Sequence, residues 1–188
     1  MLSTYLEVIQ YGFSLLFGVT LSVSYAGISF TRRNNVVLSL SCLVLLISQS
    51  LCWWLLGLDL TTKLYPLIIH IPLILFLIIY FKRPWLHSVV SVLSAYLCCQ
   101  VPRWIGIFFG TIFRNSLTEP ISYIVAVFLT FYLFSKFVTN TLRHLMEKST
   151  ISCILLGAVP FIYYIFDYTT TVYTDWLYSG VRGVPRNG

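Results

Sequence analysis

Near the end of the chain Tyr164, Asp167, Tyr168, Thr171 and Asp175 recur at offsets of three, four, seven and eleven, so they share one face of a helix. A carboxylate within an apolar helix is expensive and usually turns toward the bundle interior or water. Counted from Ile151 at about 1.5 Å per residue, Asp167 falls in the outer half of its span, and Asp175 at or beyond the boundary. Polar residues expected at the same level are His70, Arg103, Arg114 and Glu119. Two chemistries suit this set. Asp167 pairs with Arg103, Arg114 or protonated His70 to hold helices in register, or Asp167, Tyr164, Tyr168, Thr171, His70 and Arg103 line a shallow outward-facing ligand site. Pro66 and Pro72 flank His70, a placement that bends a helix and frees backbone carbonyls.

Other reactive side chains offer less. Cys42, Cys52, Cys98, Cys99 and Cys153 lie inside apolar runs without CxxC spacing or nearby metal-ligand partners, and read as small packing residues. His144 sits in a polar run, Arg143 to Lys148, expected as an inner loop. There is no HExxH, GxSxG or phosphate-loop motif. The seventh residue after His70 is Leu77 and after His87 is Ser94, so a histidine and cysteine two turns apart, as membrane peptidases use, is missing. No catalytic residue, metal or cofactor is expected.

The elements that must position these residues follow from composition. Of 188 residues 58% are hydrophobic, 17% aromatic and 10% charged, with mean hydropathy +0.86; about a quarter charged is usual for a soluble domain. Apolar stretches long enough for a hydrocarbon core of about 30 Å predict an all-α, polytopic transmembrane bundle of about six spans: Ile9 to Phe30, Val36 to Leu58, Leu64 to Phe81, Pro84 to Val101, Pro120 to Phe137 and Ile151 to Tyr173. The piece Ile105 to Phe113 is too short to cross and is expected to be re-entrant or interfacial. Residues 1–179 form a single membrane domain, and 180–188 a short polar tail, disordered or truncated.

The net charge of +6 does not indicate nucleic acid, because the basic residues sit singly or in pairs at span ends rather than along a groove. Lys and Arg are retained in the cytoplasm. Arg32, Arg33, Lys82, Arg83, Lys136, Arg143 and Lys148, seven of the twelve, therefore predict inner loops, with both termini and the Asp59 to Lys63 loop outside. In the first span Ser14, Gly18, Ser22 and Ala26 fall at four-residue steps, a face that admits close helix approach. It packs within the chain, or alternatively seams a homodimer. Gly106 and Gly110 repeat the spacing more briefly.

The run YPLIIHIPLILFLIIYFKRPWLHSVVSVLSAYLCCQVPRWIGIFF (Tyr65 to Phe109), with GAVPFIYYIFDYTTTVYTDWLY (Gly157 to Tyr178), resembles the N-terminal membrane domain of GHKL-type sensor histidine kinases of Firmicutes, similar in layout to peptide-pheromone receptor kinases. The resemblance implies a bacterial cell-membrane sensor of an extracellular peptide or small amphipathic ligand. In that family a further helix and a cytoplasmic ATP-binding module follow, and this sequence departs from the pattern at Val181 to Gly188. A second reading, from length and span count, is the substrate-binding membrane subunit of a small-molecule uptake transporter.

Overall fold

The structure, a computed structural model, describes residues 2–113 and 117–172, with side chains from residue 9 onward except at 58, 59, 62, 171 and 172. Arg114, Asp175, Trp176 and the tail from Gly180 lie outside the described residues. In a bilayer the backbone must satisfy its own polar groups, and the described elements are all helices: α1 (Leu2–Tyr25), α2 (Arg32–Lys63), a π turn (Pro66–His70) leading into α3 (Ile71–Ile79), α4 (Trp85–Phe113), α5 (Thr118–Leu133), a π turn (Phe134–Val138) leading into α6 (Thr139–Lys148), and α7 (Thr150–Asp167) closed by a π turn (Tyr168–Val172).

Four of these are long and apolar enough to cross a membrane: Arg32–Gly57, Trp85–Phe113, Thr118–Lys148 and Thr150–Thr170. That is fewer than the six expected from hydropathy. The apolar helix Pro66–Ile79 reaches only about 20 Å at 1.5 Å per residue. α1 is the central post of the bundle, with Leu21, Val23 and Tyr25 at 0% exposure and Ile9 and Leu16 exposed. Around it the lipid-side surface is apolar: Trp54, Ile79 and Ile151 are 81%, 72% and 71% exposed, a girdle that water would not tolerate.

Further expectations are corrected. Ile105 to Phe113 is neither re-entrant nor interfacial but the continuation of α4, which runs through Pro102 without a break. Proline forfeits one backbone bond there, a loss that neighbouring helices make tolerable in membranes. His144 lies on α6, not in a loop, because the fifth span continues through the π turn as far as Lys148. The first span ends at Tyr25 instead of Phe30. Gly27 takes φ +74°, its N–H bonds the Ser24 carbonyl at 3.1 Å, and the Ile28 N–H bonds Val23 at 3.2 Å. These two bonds are a Schellman stop, sealed by apolar contact between its ends.

α1 divides the core in two. Its Leu15, Val19, Val23 and Ala26 pack with Leu38, Cys42 and Leu45 of α2 and with Ile69, Leu73 and Leu77. The opposite face, Phe17, Leu21 and Tyr25, packs with Val90, Tyr123, Val127, Leu142, Met146 and Cys153. Close approach comes from other glycines. A Cβ on Gly106 would lie 3.1 Å from the Tyr123 Cβ, one on Gly110 2.8 Å from the Glu119 Cβ, and one on Gly157 2.6 Å from a Val90 methyl. So α4 meets α5 and α7 almost backbone to side-chain root, the approach that small residues permit in membranes.

At one end of the bundle Arg83 donates to the Gly27 carbonyl, and the Arg143 guanidinium packs against the same glycine. Two cations thus meet the negative end of the α1 dipole. The loops carrying Gly27, Arg83 and Arg143 therefore lie on one side of the bundle.

Candidate functional site: a polar cavity in the bundle

A cavity of about 520 Å³ is bounded by α1, the π turn with α3, α4, α5 and α7. The α1 wall is Gln10, Tyr11, Ser14, Leu15, Gly18, Val19 and Ser22. The small-residue stripe thus opens space instead of closing it. At Gly18 a Cβ would meet the Cys99 Sγ at 3.4 Å, ordinary contact, and the Ser22 hydroxyl satisfies itself on the Gly18 carbonyl at 2.7 Å. Ser22 and Ala26 are 1% and 6% exposed, so this half of the stripe is enclosed by its own chain.

Two of the three π turns deliver residues here. Wide turns re-aim side chains and are common at functional sites. The first presents Ile69 and His70, and the last begins with Tyr168. His70 is buried, its Nδ1 2.8 Å from the Tyr164 hydroxyl. Its ring stands edge-on to Tyr96 and Tyr164 at 5.2 and 5.4 Å. Tyr96, Tyr164 and Tyr168 are mutually in contact, with centroids 4.8 Å apart for two pairs and 6.3 Å for the third.

Asp167, half-buried at the cavity wall, accepts a hydrogen bond from the Tyr96 hydroxyl. His70 turns to Tyr164, and Arg114, one of the cations expected beside Asp167, lies outside the described residues. Arg103 lines the same cavity from α4, and Glu119 from α5, both exposed at the mouth. Of the anticipated site residues, Asp167, Tyr168, His70 and Arg103 come together at the cavity, and Tyr164 joins through His70. The backbone of Thr171 lies in the final π turn, and its side chain is outside the described residues.

Tyr96, Gln100 and Tyr123 were not anticipated. Gln100 is buried on the cavity wall. Tyr123 is 3% exposed, and its hydroxyl lies beside the Ser14 side chain of α1. Tyr96, Gln100 and Arg103 stand at offsets of four and seven, one helical face, so a signal existed. Dividing the helix at Pro102 hid it.

Compared with known protein families, curated proteins and solved structures, the chain matches none. No grouping of His, Cys, Asp and Glu suited to a metal occurs among the described residues. The cavity's chemistry is hydrogen bonding and charge: among the described residues it is lined by one guanidinium, two carboxylates, two carboxamides and several phenols around a histidine. Its volume falls within the usual range of about 300–1,000 Å³ for small-molecule sites.

Proposed function

We propose that this chain is the signal-sensing membrane domain of a bacterial receptor histidine kinase, carrying no kinase chemistry of its own, and that its signal is a small ligand bound in the polar cavity. The observation that carries this reading is the meeting of Asp167, His70, Tyr168 and Arg103 in one cavity whose mouth holds Arg103 and Glu119. The basic-residue bias supports a cytoplasmic position for the opposite end, where Arg83 and Arg143 converge on Gly27. The mouth then faces outward, in the membrane of a bacterial cell. The resemblance of Tyr65 to Phe109 and Gly157 to Tyr178 to the GHKL kinase membrane domains points the same way.

A sensor needs a movable element as well as a site. α7 holds the cavity through Tyr164 to His70 and Asp167 to Tyr96, while most of its surface faces away from the protein. A ligand that re-partners these groups favours one α7 position over another, which is the differential contact a switch requires.

The test is a chimera that places this chain ahead of the cytoplasmic module of a peptide-receptor kinase. Autophosphorylation that rises saturably with fractions of spent bacterial medium, and fails in Tyr164→Phe/Asp167→Asn, supports sensing. The rival, a substrate-binding subunit of an uptake transporter, is favoured by the same polar cavity. Accumulation of a solute in cells co-expressing a transporter ATPase, with no phosphorylation response in the chimera, would favour that rival.

A further inference from the structure

At the end of the bundle opposite the cavity mouth, two guanidiniums converge on one residue. Arg83, in the turn after α3, donates to the Gly27 carbonyl. The Arg143 guanidinium lies against the same glycine, its Nε 2.9 Å and its Nη2 3.2 Å from where a Cβ would stand. The fold holds both in place. Lys82 at φ +53° turns the chain so that the Arg83 N–H closes on the Leu77 carbonyl at 3.1 Å, and Arg143 rides on α6, whose Leu142 and Met146 are buried. We propose that this arginine pair binds the phosphate of an anionic phospholipid headgroup in the leaflet at this end. The site is separate from the cavity and does not depend on the ligand-sensing reading.

The donors on hand exceed what the chain itself uses. The end of a helix carries a partial charge of about half a unit, less than one guanidinium offsets, and the Gly27 carbonyl occupies only one of the several N–H donors of Arg83. Arg143 is half-buried, and its Nε is sealed from solvent with no hydrogen-bond partner among the described residues. Neither guanidinium forms an ion pair with a carboxylate among the described residues, although Glu147 stands one turn further along α6. Two like charges gathered on one residue repel each other unless an anion lies between them. A phosphate has acceptor oxygens for both, and guanidinium forks match it with paired hydrogen bonds.

The level of the site selects a lipid as the carrier of that phosphate. Around the Arg83 turn the rings of Phe76, Tyr80 and Phe81 meet with centroids 4.8–5.4 Å apart, and Tyr80 and Trp85 are 40% and 68% exposed. Exposed Tyr and Trp gather where hydrocarbon gives way to headgroups. At the end of α3 Ile79 is exposed, apolar surface on which an acyl chain can lie. Basic pockets between membrane helices at this level are where anionic headgroups bind.

The experiment is native mass spectrometry of the full chain released from nanodiscs of phosphatidylglycerol and phosphatidylcholine in equal amounts. The expected result is a retained phosphatidylglycerol, preferred at least about tenfold over phosphatidylcholine. Arg83→Gln and Arg143→Gln should each cut that preference at least about fivefold. Arg32→Gln removes the same charge from the same end and should leave the preference within about twofold. Because Arg83 also caps Gly27, the double variant Arg83→Lys/Arg143→Lys decides the matter if a Gln variant does not fold: it keeps both charges, loses the forks, and should retain less than about half of the preference. Equal retention of the two lipids overturns the proposal. So does an equal loss in Arg32→Gln, which would mean diffuse attraction to the membrane surface, or an unchanged preference in the double Lys variant. Inorganic phosphate that displaces the lipid at millimolar concentration and stays on the chain would show that the site takes the free anion, and would overturn the lipid as its occupant.

Discussion

The Nδ1 of His70 lies 2.8 Å from the hydroxyl of Tyr164, tying the π turn before α3 to α7 across 94 residues of sequence. Together with Tyr96 donating to Asp167, it fixes where the last described helix stands against the cavity. Hydrogen bonds between membrane helices are worth about 0.6 kcal/mol on average and up to roughly 1.7. Tyr164→Phe should therefore destabilise by about 0.5–1.5 kcal/mol in SDS unfolding. Combining it with His70→Phe should cost less than the sum of the two single changes. Strict additivity would mean that the two groups are not coupled.

The Tyr96 to Asp167 bond makes a parallel case. Tyr96→Phe removes the donor, and Asp167→Asn keeps the shape while removing the charge. A double-mutant cycle should give a coupling of about 1 kcal/mol. Because Asp167 lines the cavity of the proposed ligand site, Asp167→Asn should weaken the chimera's response more than Tyr96→Phe does. Identical losses from both changes would indicate that Asp167 only holds helices in register.

Close packing predicts an order among the glycines. Gly157→Val must move Val90, against which even a Cβ would stand at 2.6 Å, and overpacking of this kind costs about 1–3 kcal/mol. Val90→Ala in the same chain should recover part of that loss. Gly106→Ile should likewise disturb the α4 and α5 seam. Gly18→Ile meets only the Cys99 Sγ at 3.4 Å and projects into the cavity, so it should lower ligand affinity while costing the least stability. The reverse order, with Gly18 the most sensitive, would contradict the central placement of the cavity beside α1.

Topology gives an independent check. Gly27, Arg83 and Arg143 meet at one end, so cysteines placed at Asn34 and Lys82 should share the same accessibility in whole cells. Both should resist an impermeant maleimide until the membrane is opened, whereas a cysteine at Glu119 should react from outside. Reaction of Asn34→Cys from outside would invert the assignment.

The helical membrane architecture was legible because apolar stretches and sparse charge are bulk properties of the chain. Asp167, His70, Arg103 and Tyr168 were legible as polar exceptions within it, and they do converge. Segment boundaries were less readable. Pro102 looks like a terminator, yet α4 passes through it, and the five-residue π turns at Pro66–His70 and Phe134–Val138 leave no mark in hydropathy. The α1 stripe signalled a special face, but spacing alone does not distinguish a surface that closes on a neighbour from one that borders a cavity. Glycine geometry does: the close contacts belong to Gly106, Gly110 and Gly157, where the repeats are short or single. Tyr123 was missed because its place on the cavity wall, against Gly106 of α4 and beside Ser14 of α1, is a matter of three-dimensional neighbours.

The most direct test of the central claim, an outward-opening ligand cavity, is the reactivity of a cysteine at Ser14. This half-buried position lines the cavity from α1, and the substitution is nearly isosteric. In a chain whose five native cysteines are replaced, Ser14→Cys in intact cells should react with the small impermeant reagent methanethiosulfonate ethyltrimethylammonium. The fraction of spent medium that drives the chimera should slow that reaction at least about tenfold. A thiol at this position that reacts only after permeabilisation, or at the same rate with and without the active fraction, would contradict the account.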